Sequence, residues 1–242
     1  MKHFIDELLF QEAKNRMIAR TKGEKGIGTL REKTVHSVLK YYFAPDESCH
    51  EQKIGSFVAD ICIDGEIYEI QTKQFYLMKR KLDCFLPDYD VTIIYPISVE
   101  NTLHWIDGEE IHSSRKRKRR GAIYDFFQEL YGIRSFMGHK RLRFILVLLS
   151  TEEYRLLDGY GSSRKRKATK TDKIPMAMLD MISLSDKSDY SVFLPDDLSE
   201  EFTSLDFSNS ARISRPLAGT ALLLLQELGV VERVGKQGNA YL

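Results

Sequence analysis

The sequence predicts an α/β fold, a mixed β-sheet flanked by helices, with a small domain at the C-terminal end. Three observations carry this. Helical and strand periodicities alternate over residues 30–96 in the order α-β-β-β-α-β, which implies a sheet with helices on its faces. An Asp64-Gly65 pair separates two β-rich runs, 56–63 and 66–72, and Asp-Gly between such runs is the strongest short-range hairpin signal. The 242 residues, 43% of them hydrophobic, suffice for one large core and a second small unit. The boundary is expected near 173, giving domains 1–173 and 174–242.

Residues 3–20 read as a helix with Phe4, Ile5, Leu8, Leu9, Ala13 and Met17 inward. Gly23, Gly26 and Gly28 follow as a connector; without a preceding strand or a GK[ST] ending they do not make a phosphate loop. Thr29 can cap a second helix over 30–43, whose stripe is Val35, Val38, Leu39 and Tyr42. Strands at 50–55, 56–63 and 66–72, a helix at 75–85 and a buried strand at 90–96 come next. A short strand at 103–106, a helix at 122–132 and a buried strand at 142–149 form a second set. The tail reads as helices at 196–202 and 215–228 and a hairpin over 230–242.

The formal charge is only +1, but it is segregated. Residues 1–112 carry 14 Lys/Arg and 19 Asp/Glu, residues 113–173 carry 17 and 6, and residues 174–242 carry 5 and 10. The basic middle holds the hexapeptide SSRKRK twice, at 113–118 and 162–167. Clustered cations make a local field whatever the total charge, so the segment reads either as a polyanion site or as solvated loops. On the first reading Arg115, Lys116, Arg117, Lys118, Arg119, Arg120, Arg164, Lys165, Arg166 and Lys167 grip phosphates without reading bases. Three cysteines without a CxxC pair suit neither a zinc site nor a disulfide framework, and point to a reducing, cytoplasmic setting. No apolar run approaches the ~20 residues of a membrane span, and the N-terminus lacks a signal-peptide pattern.

The most informative stretch is VADICIDGEIYEIQTK. With Asp64-Gly65 as a two-residue turn, Ile63 pairs with Glu66, Cys62 with Ile67, Ile61 with Tyr68 and Asp60 with Glu69. Two carboxylates then face each other across a hairpin, an arrangement that destabilises a sheet unless something compensates. One reading is a solvent face with an incidental register. The other is a hard divalent cation with oxygen ligands, favoured by the apolar neighbours Val58, Cys62 and Ile67 on that face. Alternation puts Gln71 and Lys73 on the face of Glu69, and Glu32 on the preceding helix can supply a third carboxylate. Such a set suits phosphodiester hydrolysis, with the metal activating water and stabilising phosphate charge.

At these residues the chain resembles the PD-(D/E)xK, or restriction-endonuclease-like, nuclease superfamily over roughly residues 24–98. Glu32, Asp60 and Glu69-Ile70-Gln71 occupy the positions of its helix Glu, strand Asp and E-x-K. The resemblance implies a restriction-endonuclease-like core in which Asp60 and Glu69 bind Mg²⁺ (or Mn²⁺) and Glu32 is an outer or second-metal ligand. Gln71 departs from the pattern: an amide orients water but supplies neither base nor positive charge, a lack that Lys73 can remedy. The tail resembles a winged helix-turn-helix, with a first helix at 198–202, a second at 215–228, and Arg215 and Lys236 among its DNA-contacting residues; a protein-binding role is the other reading. The expected function is a metal-dependent DNA endonuclease, or a nuclease-like DNA-processing protein, with DNA as partner and a homodimer as one arrangement. The alternative is a catalytically inactive DNA-binding or regulatory protein on a degenerate nuclease core.

Overall fold

The computed structural model describes residues 5–24, 33–108, 110–159, 168–237 and 240–241. It is an α/β fold around a mixed eight-stranded sheet. The first helices are α1 (Glu7–Glu24) and α2 (Lys33–Phe43), followed by β1 (His50–Ile54), β2 (Phe57–Ile63), β3 (Glu66–Ile70), α3 (Lys79–Phe85) and β4 (Asp90–Asp107). Then come β5 (Glu110–Ser113), β6 (Arg117–Lys118), α4 (Asp125–Gly132), β7 (Leu142–Leu156) and β8 (Thr169–Leu184). The tail holds α5 (Ser204–Ala211), α6 (Arg215–Glu227) and a hairpin of β9 (Lys236–Gln237) and β10 (Ala240–Tyr241).

The strand order is β1-β2-β3-β4-β7-β8, with β5 and β6 paired to the far half of β4. β1, β2 and β3 are antiparallel, β3-β4 and β4-β7 parallel, and β7-β8 antiparallel. Each parallel step is bridged by a helix, because parallel neighbours cannot be joined by a tight turn. The central strands are buried on both faces. Val91, Ile93, Tyr95 and Ile97 of β4 join one cluster with Phe75, Leu82, Phe85, Phe126 and Phe127, while Ile94 joins another with Phe10, Val35, Val38 and Leu39. Period-two alternation thus divides each strand between two helix layers. Arg143 of β7 bonds Glu66 at 3.0 Å and Asp90 at 3.1 Å, tying together the starts of β3, β4 and β7.

Several expectations need correction. In α1, Ala13 is buried and Leu9 and Met17 pack against the core as expected, as does Ile5 just before the helix, but Phe10 is buried as well and Leu8 is 85% exposed. The strand expected at 103–106 is the far end of β4, which continues past a bulge between Ser98 and Glu100. Segment 113–118 is not simply a loop: β5 and β6 fold back onto β4, pairing Trp105 with His112 and Asn101 with Arg117. No helix forms at 198–202; Pro195, Asp196 and Asp197 make a turn, and the helix starts at Ser204, where Thr203 and Asp206 form a reciprocal capping box.

The boundary expected at 173/174 falls inside β8, a strand of the main sheet. The tail helices also share the main core: Phe207, Leu217, Ala218, Leu224 and Leu225 lie in one cluster with Phe126, Phe127 and Leu130. Tyr124 Oη donates to the Phe193 carbonyl at 2.9 Å across the same junction. No helix among the described residues is long and apolar enough to cross a membrane.

Candidate functional site

The β2-β3 hairpin has the register expected from Asp64-Gly65: Ile63 opposite Glu66, Cys62 opposite Ile67 and Ile61 opposite Tyr68. Asp64 and Gly65 both have positive φ, the conformation a tight two-residue hairpin turn requires. At Asp60 and Glu69 the regular pairing ends and the carboxylates take over. Ile70 N–H donates to Asp60 Oδ2 at 2.9 Å, and Asp60 N–H donates to Glu69 Oε1 at 3.3 Å. Each acid therefore satisfies a backbone donor of the other's strand, which fixes both side chains at the open end of the hairpin.

Helices from opposite faces of the sheet complete the arrangement. His36 Nε2 of α2 lies 3.1 Å from Asp60 Oδ2. Lys81 Nζ of α3 donates to Glu69 Oε2 at 2.6 Å and lies 5.7 Å from the centre of the Phe85 ring. Glu69 is 2% exposed. Burial, and then the neighbouring Asp60 charge, push its carboxyl up to about 7, with Lys81 opposing them. Burial works against ionisation of Asp60 as well, but His36, the Ile70 N–H and Lys81 outweigh it and hold its carboxyl below the usual range. The pair is thus split into one acid that ionises readily and one that retains its proton towards neutrality, the pattern of groups poised for different roles.

Among the described residues of the expected set, the structure brings together Asp60 and Glu69. Glu32 lies outside the described residues. β3 ends at Ile70, and Gln71 and Lys73 lie beyond it. Gln71 N–H bonds the Ile94 carbonyl, and its side-chain amide donates to the Lys73 carbonyl at 2.6 Å, inside its own bend. Lys73 is exposed in that bend. Of the apolar residues expected on that face, Ile67 is fully buried and Cys62 packs against the core, but Val58 is 50% exposed. Among the described residues no group of three His, Cys, Asp or Glu side chains is placed to hold a metal ion.

The basic segment is more neutralised than its composition suggests. Lys116 and Lys118 lie 2.7 and 3.2 Å from the Glu100 carboxylate, and Arg119 lies 2.6 Å from Asp125. Arg115, Arg117 and Arg120 are exposed. Arg164, Lys165, Arg166 and Lys167 lie outside the described residues, as does the Lys236 side chain. Arg215 is exposed at the first turn of α6, after the cap Ser214.

Sequence reasoning missed two functional candidates, His36 and Lys81. Lys81 had a signal: Met78, Leu82 and Phe85 form the buried stripe of its helix, and Lys81 is three or four residues from two of them. His36 likewise follows directly on the buried Val35.

Residues 33–185 match the family described as a domain of unknown function, DUF8091. An uncharacterized protein of Treponema pallidum (strain Nichols) is 30% identical over 150 residues, covering 61% of this chain. The chain spans 59% of that relative's length. No solved structure matches the chain. The matched region runs from the first residue of α2 to just past β8 and includes His36, Asp60, Glu69 and Lys81, so the chain belongs to the DUF8091 family through the part that builds this site.

Proposed function

We propose that the protein is a metal-dependent DNA endonuclease on a restriction-endonuclease-like core, with α5, α6 and β9-β10 acting as a winged helix-turn-helix. The observation that carries this reading is the convergence of Asp60 and Glu69 at the open end of the hairpin, with Lys81 bonded to Glu69. A hard divalent cation fits these residues. Two carboxylates share a site buried enough that one is driven towards protonation, a conflict that a cation with oxygen ligands relieves. Mg²⁺ needs only one or two carboxylates when water and substrate phosphate supply the remaining ligands, so a two-acid donor set is sufficient. When bound, Mg²⁺ or Mn²⁺ would acidify a water and stabilise charge on the phosphate.

The chain's own residues do the rest. Asp60 and Glu69 are held rigid by each other's backbone, so they orient what they bind without reorganising. Lys81 carries a proton at Nζ beside Glu69 and offers positive charge to a phosphoryl oxygen, the role the resemblance gives to the last position of E-x-K. Lys81 thereby replaces Gln71 and Lys73 in this reading. Arg115, Arg117 and Arg120 contribute non-specific phosphate contacts, and Arg215 opens the helix that would meet DNA.

One observation favours the second reading, a non-catalytic DNA-binding protein. Asp60 and Glu69 each already have a basic partner, His36 and Lys81, so the charges can balance as a closed network without a metal. Cleavage decides between them. Plasmid and single-stranded DNA are incubated with Mg²⁺ or Mn²⁺ and the wild type, Asp60→Ala, Glu69→Ala or Lys81→Met. The nuclease reading expects metal-dependent cleavage that is abolished by either acid substitution and reduced about 100-fold or more by Lys81→Met. Binding without cleavage by every form rejects the enzyme; cleavage that survives both acid substitutions rejects the site.

A further inference from the structure

The 3₁₀ turn that leads into α3 bears an exposed ledge next to the site. Tyr76 is 53% exposed, Leu77 62% and Tyr131 of α4 46%. Scattered exposed apolar residues are ordinary. These three differ in being gathered and in being held. The turn is fastened to α4: Phe75 N–H donates to Glu129 Oε2 at 3.1 Å, while the Phe75 ring packs edge-on against Tyr95 and Phe126. Gly132 admits the Tyr76 backbone so closely that a Cβ there would lie 3.0 Å from Tyr76 N and 3.2 Å from Tyr76 Cβ. The Arg134 guanidinium covers the Tyr131 ring at 5.1 Å, with Glu227 at 4.0 Å from the same Arg. The Tyr76 backbone and the end of α4 that bears Tyr131 are thus fixed against each other, while both side chains remain about half exposed.

The turn itself is basic, with Glu129 and Glu227 bordering it on the α4 side. Residues 73–81 include Lys73, Lys79, Arg80 and Lys81 and no acid. Lys81, in the first turn of the α-helix that follows, has its Nζ on Glu69. Aromatic faces beside a cationic backbone track are what sequence-tolerant single-strand binders use, because every base has a π-face and every linkage a phosphate.

We propose that this ledge binds single-stranded DNA, with unpaired bases stacked on Tyr76 and Tyr131 and the flanking phosphates on Lys79 and Arg80. The inference rests on the nuclease reading of the adjoining acids and deepens it: the strand offered to Asp60 and Glu69 is an unpaired one. A duplex keeps its bases stacked on each other and leaves the rings without a partner.

The test is fluorescence anisotropy of a labelled oligothymidylate and of a duplex of equal length, with the full chain in EDTA, so that binding is read independently of cleavage. The expected result is at least about tenfold tighter binding of the single strand. Tyr76→Ala and Tyr131→Ala each weaken it about tenfold with the salt slope unchanged, and Tyr76→Phe, which keeps the ring, binds as wild type. The Lys79→Ala/Arg80→Ala variant binds with a shallower salt slope, by about 0.7 per lost phosphate contact. Equal affinity for single strand and duplex, or tyrosine-to-alanine variants that bind as wild type, would overturn the proposal.

Discussion

Glu69 is the residue on which the account turns, and its burial makes a claim about pH. Its carboxyl is raised from the ordinary 4.5 to about 7 by burial and by Asp60. A group raised in the folded state binds its proton more tightly there than in the unfolded chain. Its contribution to stability is therefore fully present below about 4.5 and is lost as pH rises through about 7, a decline of about 3 kcal/mol. Asp60, whose carboxyl is lowered, acts in the opposite sense and only below the ordinary 3.8. Glu69→Gln removes the titrating group, so its stability curve between pH 4.5 and 7.5 should be flatter than that of the wild type by that amount. Urea denaturation at several pH values measures this; parallel curves would show that Glu69 does not titrate in this range.

At the scale of elements, the hairpin was legible and its surroundings less so. Asp64-Gly65 set the register because a two-residue turn leaves little choice of pairing, and a slip of one residue would invert both faces. The cation beside Glu69 was not legible as such. Lys81 reaches it from a helix packed across the sheet, whereas periodicity along β3 pointed to Gln71 and Lys73 just beyond the strand's end. The first tail helix was misplaced because acidic and apolar residues at 196–202 mimic helical spacing, while the Thr203-Asp206 box that starts α5 was overlooked. Thr203→Ala should cost about 1 kcal/mol in urea denaturation, through loss of that cap. Gly121 makes a sharper test of how the elements meet. Its φ is +66°, and a Cβ would lie 2.7 Å from the Ala211 carbonyl oxygen and from Ile213 Cγ2. Gly121→Ala should destabilise by about 2–3 kcal/mol, from the strained backbone and the forced retreat of the α5-α6 turn; a change under about 0.5 kcal/mol would mean that the contact is loose.

For the whole molecule, the sheet flanked by helices followed from the alternation of elements, but the division into two domains did not. Charge and motif changes near 173 suggested a boundary, yet β8 runs through that point and Phe207, Leu217 and Leu224 complete the core of Phe126 and Phe127. A domain boundary is a matter of which apolar faces meet, and one sequence does not state that. Differential scanning calorimetry of the full chain should show a single cooperative transition. Removing residues 186–242 should expose the α4 face and yield an aggregating product; a truncated chain with unchanged melting temperature would show the tail to be independent.

The cation site proposed at Asp60 and Glu69 can be titrated directly. Titration of Mn²⁺ followed by electron paramagnetic resonance tests it without a substrate. The wild type should deplete the free Mn²⁺ signal with one site per chain, and Asp60→Asn should do so at least about tenfold more weakly. Equal depletion by both proteins, or none by the wild type, would contradict it.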